Sequence, residues 1–92
     1  MDHAGERIGI EHDLEHDAAY FTFVATESAR QVKLDDARIV DYAADGSVVG
    51  VEFISPSRGL NLVGVPRAPE IARAAHRLGL PILPASDTAR AG

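Results

Sequence analysis

The chain has no cysteine, a single lysine (Lys33), no apolar run of membrane-spanning length and no glycine-rich phosphate loop. Each absence removes a class of function. Without cysteine there is no thiol nucleophile, no Cys-ligated zinc and no disulfide, which fits a cytoplasmic setting. Nothing approaches the roughly 18 consecutive apolar residues that cross a bilayer, and Met1 to Ile10 contains no apolar run, so the expected location is cytoplasmic and no membrane partner is expected. Gly46 and Gly50 fall within a hairpin and neither precedes a helix, so nucleotide binding finds no support. Nine Lys and Arg against fourteen Asp and Glu, net −5, leave no dense basic stripe for phosphates, and no nucleic-acid partner is expected.

What is present suits one small domain. The 92 residues are 46% hydrophobic and 25% charged, and a domain of this size has a thin stability margin that only oligomerisation remains to supplement. Charge is uneven. Residues 1–54 hold twelve acids and four bases, net −8, and residues 55–92 hold two acids and five bases, net +3, which sum to −5. Either a basic helix lies across an acidic sheet, or the two halves pair between protomers.

The strongest local signal is Asp45-Gly46 between two β-branched segments, Arg38 to Tyr42 and Val48 to Ile54, which reads as a hairpin. Arg7 to Glu11, Ala19 to Ala25 and Arg30 to Leu34 read as three earlier strands, the last polar on one side. Close spacing implies an α+β fold: an antiparallel β-meander of about five short strands with one C-terminal helix packed on or beside the sheet. Pro69 opens that helix, Glu70 complements its positive end, and Arg73, His76 and Arg77 lie near its negative end. Ile71, Ala74, Ala75 and Leu78 form its apolar stripe, and Gly79 stands where a left-handed cap belongs. The expected domain is 1–84, with strands over about 7–54 and helix over about 69–78. Leu80, Ile82 and Leu83 fold back on the core, while the ends, Met1 to about Gly5 and Ala85 to Gly92, are expected to be mobile.

Both sheet faces read as partly apolar. Ala19, Phe21, Phe23 and Ala25 oppose Tyr20, Thr22 and Val24, while Val49, Val51 and Phe53 oppose Val48, Gly50, Glu52 and Ile54. One helix covers one face, so the second meets solvent, the Leu60 to Val65 run, or another copy; a homodimer is expected. Two hairpin registers are open. A type I turn with a glycine bulge sets Arg38 opposite Glu52 and Asp41 opposite Val49; a two-residue turn sets Ile39 opposite Glu52 and Asp41 opposite Gly50. The first pairs opposite charges and is preferred.

Few residues offer chemistry. His12-Asp13-Leu14-Glu15-His16 matches H-x-x-E-H, but that motif needs a helix in a larger cleft-bearing domain, and here it lies between strands. His12 and His16 with nearby carboxylates remain the candidates for a looser metal site. Asp13, Glu15 and Asp17 mimic the start of a calcium loop, but no glycine follows at the sixth position and Val24 stands where the bidentate Glu belongs. Asp41 and Glu52, with Tyr20 or Tyr42, could line one sheet face and shift one another's pKa. Ser28, Ser47, Ser55, Ser57 and Ser86 fall in turn or tail contexts, and His76 reads as a surface residue. No catalytic, cofactor-binding or metal residue is assigned.

Two segments carry a resemblance: His12-Asp13-x-x-x-Asp17-Ala18-x-Tyr20, and Ile39-Val40-Asp41-Tyr42-x-x-Asp45-Gly46-x-Val48-Val49-Gly50-Val51-Glu52-Phe53-Ile54. From about Ile8 to Ser57 the chain resembles the small prokaryotic proteins grouped as domain of unknown function 2283. Relatives read Tyr-Asp at the start, so His12 departs from the pattern, and His16 falls at an open position. The resemblance implies a small β-meander with a helix, an unassigned activity, and Asp13, Asp17, Tyr20, Asp41, Asp45, Gly46, Gly50 and Glu52 as the residues to inspect. Some members of such families look like antitoxin-type partners of small neighbouring proteins. The expected function is a self-associating, non-enzymatic interaction module without a cofactor, binding an unidentified protein. The alternative is a small enzyme or metal-dependent binder using the His12 to Asp17 turn with Asp41 or Glu52.

Overall fold

Alternating β-branched and aromatic residues build the sheet, and a segment bounded by proline and glycine builds the helix. The computed structural model describes residues 8–84, so the ends expected to be mobile lie outside the described residues. Strands β1 (Gly9–Asp13), β2 (Ala18–Thr22), β3 (Arg30–Asp35), β4 (Arg38–Tyr42) and β5 (Val48–Ile54) precede a 3₁₀ turn (Pro56–Arg58) and helix α1 (Ala68–Leu78). All five strands form one antiparallel sheet in the order β1-β2-β5-β4-β3, the α+β arrangement expected. β1–β2 and β3–β4–β5 are meander units. They join where β2 pairs with β5, so residues 23–29 pass the ends of β5 and β4 to reach the far edge.

The β4–β5 turn is the expected type I turn with a glycine bulge, but the register beyond it is not the preferred one. The Gly46 amide donates to Ala43 at 2.9 Å and the Ala43 amide to Ser47 at 2.8 Å, with Gly46 at φ 92°. Asp45 accepts from the Ser47 amide at 2.9 Å and hydroxyl at 2.7 Å, which closes the turn. Tyr42 then faces Val48, yet Asp41 faces Gly50, Val40 faces Val51, and Ile39 faces Glu52. Val49 is an extra residue in β5: a second bulge slips the register by one. A one-residue slip reverses which side chains meet the core. Val40, not Ile39, is therefore fully buried, and Arg38 faces Phe53 rather than Glu52.

The core lies on one face only. Phe21 and Phe53 meet edge to face at 5.7 Å, flanked by Ala19, Val40 and Val51, and Ile71, Ala74 and Ala75 of α1 close over them. Each fully buried Phe, Leu or Ile contributes about 1.5–3 kcal/mol. Leu60 and Val65 join this same cluster, so the Leu60 to Val65 segment packs on the helix side. Arg38, 9% exposed, ties it down: its guanidinium donates to the carbonyls of Asn61 at 3.1 Å and Val63, and to Asp35 Oδ2 at 3.0 Å. That hydrogen bond with Arg38 holds the Asp35 carboxyl below its usual pKa.

Gly79, at φ 75°, caps α1 as the sequence predicts, and the Leu80 amide bonds back to Ala75 at 3.0 Å. The helix begins at Ala68, one residue ahead of the expected proline. Arg67 precedes it, paired with Glu70 at 2.5 Å and stacked on Phe23 at 4.4 Å. After the cap the chain folds back, with Ile82 bridged to Leu60 and Leu80 packed against the core. Among the described residues no helix is long and apolar enough to cross a membrane.

Candidate functional site

The register that buries Val40 turns Asp41 the other way, onto the sheet face that α1 does not cover. Strand pairing lays two rows across this open face. One runs Glu11, Tyr20, Glu52, Ile39, Lys33, and the next runs Gly9, Thr22, Gly50, Asp41, Gln31. Polar and charged side chains dominate these rows, while Ile39 within them and Val24 and Ile54 beyond them, 41% and 42% exposed, are the face's apolar part. Alternation in β2 and β5 places Phe21, Val51 and Phe53 with the core.

Tyr20 and Asp41 sit diagonally across β5, with Gly50 beneath them. The Tyr20 hydroxyl donates to Asp41 Oδ2 at 2.7 Å. A Cβ at residue 50 would stand 2.5 Å from Tyr20 Oη and 2.6 Å from the Phe21 carbonyl oxygen, so only glycine lets the ring lie flat across the central strand. Here glycine supplies space, whereas at residue 46 it supplies a left-handed backbone. Asp41 is 8% exposed, and its second oxygen, Oδ1, is buried without a hydrogen-bond partner among the described residues. Leaving a buried acceptor unpaired costs about 1–3 kcal/mol. Burial first, then the hydrogen bond to Asp41 and the nearby charges of Asp41, Glu52 and Glu11, push the Tyr20 hydroxyl well above its ordinary pKa. The phenol therefore keeps its proton at neutral pH.

Asp41, Glu52 and Tyr20 thus share one face, as the sequence allows, but Tyr42 does not. It lies on the core side, packed against the cluster, with Arg30 stacked over its ring at 4.5 Å. A depression of about 500 Å³ adjoins Tyr20, lined by Thr22, Val24, Glu27, Ser28 and Val49.

The remaining motif residues serve turns. Asp13 accepts from the His16 amide at 3.0 Å and pairs with His16 Nδ1 at 2.8 Å; these bonds hold its carboxyl below the usual range. Asp17 adopts φ 52°, which aspartate tolerates, and its carboxylate accepts from Ser57 Oγ at 2.6 Å and the Ser57 amide at 3.2 Å. The Ser55 amide donates to its carbonyl at 2.8 Å, so Asp17 fastens the end of β5 to the β1–β2 turn. His12 lines a separate cleft with Asp17, Ser57 and Leu78. Among the described residues no three His, Asp or Glu side chains gather closely enough to hold a metal ion.

Sequence reading set Arg38 opposite Glu52 and missed its true partners, since its acceptors include backbone carbonyls without a residue signature. The unpaired Asp41 oxygen escaped it as well, because it depends on the bulge at Val49.

Neither the curated proteins nor the solved structures compared with this chain match it. A family model described as protein of unknown function (DUF2283) matches residues 9–55, from the start of β1 to just past β5. That span contains the whole sheet and both Tyr20 and Asp41, and the chain belongs to this family of proteins of unknown function.

Proposed function

We propose that the chain is a self-associating protein-interaction module, akin to antitoxin-type partners, rather than an enzyme. The observation that carries this reading is the open face: among the described residues, nothing packs on the sheet surface holding Tyr20, Asp41 and Glu52. A sheet left uncovered on one face by the described residues, with a half-satisfied polar pair at its centre, is suited to being covered. Acidic character there favours a protein over a nucleic acid.

Self-association uses the edges. β3 pairs with β4 alone among the described residues, so its outer backbone row is available for strand addition. Pairing two copies antiparallel about Val32 sets Arg30 opposite Leu34 and Gln31 opposite Lys33, with no like charges directly opposed. The metal-dependent alternative draws less support, because Asp13, Asp17 and His16 are engaged in turn bonds.

Sedimentation and light scattering across the micromolar range test the first half of this reading, with dimers expected. A strict monomer throughout would refute self-association. Affinity capture tests the second half: one partner should be retained by the wild-type chain and lost with Ile39→Asp on the open face.

A further inference from the structure

We infer that the patch formed by Tyr20, Asp41 and Glu52 on the open face receives an arginine side chain from another protein. This rests on the interaction-module reading and names the chemistry of the partner. Four observations converge. Asp41 is more than nine-tenths buried, and its Oδ1 has no donor among the described residues, although carboxylate oxygens so placed are nearly always bonded. The surrounding face carries Glu11, Asp13 and Glu52 besides Asp41 against Lys33 alone, so an incoming group gains by being cationic.

The aromatic inventory points the same way. Of the five aromatic residues, Phe21 and Phe53 pack on each other, Phe23 lies under Arg67 and Tyr42 under Arg30. Tyr20 alone has neither an aromatic nor a guanidinium neighbour among the described residues. Gly50 supports one side of its ring. Finally, the adjoining depression of about 500 Å³, lined in part by Glu27, gives the backbone around such an arginine a place to lie.

Guanidinium fits these requirements better than ammonium. Its planar fork can reach a carboxylate oxygen and a second acceptor at once while its flat face stacks on a ring, which a lysine cannot do together. The Tyr20 hydroxyl already donates to Asp41 Oδ2; Glu52 is the accessible acceptor, and the newcomer reaches Oδ1, which is covered in this structure, only as the side chains over it shift. A second copy of this chain is the poorer occupant, since a two-fold axis over this face would bring Glu11, Asp41 and Glu52 against their own counterparts.

The test is an NMR titration of the full chain with a capped Gly-Arg-Gly-Arg-Gly peptide, with lysine and citrulline versions as controls. The expected result is a set of shifts centred on the Gly50 amide and the Tyr20 ring, strongest for arginine. Asp41→Asn should weaken binding roughly tenfold, the scale of a lost charge-assisted hydrogen bond. Tyr20→Leu, which removes the stacking surface, should weaken it too, and so should the isosteric Glu52→Gln, with folding checked by the unperturbed amide spectrum of the free protein. Shifts spread evenly over Asp13, Glu15 and Asp36, or equal binding of citrulline, would overturn the inference. Shifts at Gly50 on diluting the protein alone would assign the face to a second copy and also overturn it. Loss of the arginine site with retained partner capture would leave the interaction-module reading standing.

Discussion

The two faces of this sheet are made by the same five strands, yet they are governed by different physics. On the covered face, Phe21, Val51 and Phe53 are 0–2% exposed and interchangeable in kind with any close-packed apolar set of the same volume. On the open face the important contacts are a hydrogen bond, a glycine and an acceptor without a donor among the described residues, none of which an apolar side chain of similar size reproduces. The covered face holds the domain together by bulk packing, whereas the open face depends on a few individual atoms.

The largest effect that would sharpen the contrast is Phe53→Ala. It removes a fully packed ring from the edge-to-face pair and is expected to cost about 3–5 kcal/mol. Urea denaturation reads this directly, and a loss under 1 kcal/mol, on the order of a surface change, would mean that the core is not where the contacts place it. Next comes Gly50→Ala. A methyl group there meets the Phe21 carbonyl as well as the Tyr20 ring, so moving the ring cannot relieve it, and about 2 kcal/mol should be lost. The Tyr20 ring resonances should shift in the same variant. An unchanged Tyr20 spectrum would disprove the stacked arrangement.

Tyr20→Phe should be milder, about 1 kcal/mol, because it deletes one hydrogen bond from a group still partly solvated. It also alters the alkaline limb. Unfolded tyrosine releases its proton near pH 10, about the ordinary value, whereas folded Tyr20 holds it higher. Its contribution is therefore complete below about pH 10 and declines as pH rises further. The phenylalanine variant should lack that decline, as chemical denaturation at rising pH would reveal. A like decline in the variant would assign the effect elsewhere.

The smallest effect belongs to the turns. Hydrogen bonds hold Asp13, Asp35, Asp45 and Glu70 below their usual values through His16, Arg38, Ser47 and Arg67 respectively. Groups depressed by folding contribute above their unfolded pKa, so stability should begin to fall as pH drops below about 4. Asp45→Ala should flatten this acid limb slightly without disturbing Tyr20. A change at Tyr20 would show that turn and face are coupled.

Local signals in the sequence foretell the strands, the Asp45-Gly46 turn and the capped helix because each depends on neighbours in the chain. Proline and Glu70 at the start of α1 and Gly79 at its end act within a single turn of helix. The hairpin register was another matter. Val48-Val49-Gly50-Val51 is apolar in either phase, so the alternation that normally fixes register is silent there, and an Arg38–Glu52 charge pair looked decisive. The bulge at Val49 wins because it buries Val40 and lets Arg38 reach two carbonyls, while Val49's own carbonyl accepts the amides of Phe23 at 2.8 Å and Val24 at 3.3 Å. These are long-range gains that no local pattern announces. Tyr20, Asp41 and Glu52 were legible as a group, and close packing or a bulge was a legible reason for Gly50, but the neighbour that packs there, thirty positions earlier on the adjoining strand, was not.

The place of β5 in the middle of the sheet has a consequence for the order of assembly. Both of its neighbours, β2 and β4, are synthesised before it, and the two halves of the sheet have no other strand in common. Until Ile54 has left the ribosome, the nascent chain holds a β1–β2 ribbon and a β3–β4 ribbon, each marginal alone. Closure is then a single late event, in which the last strand made is inserted between two that have been waiting for it.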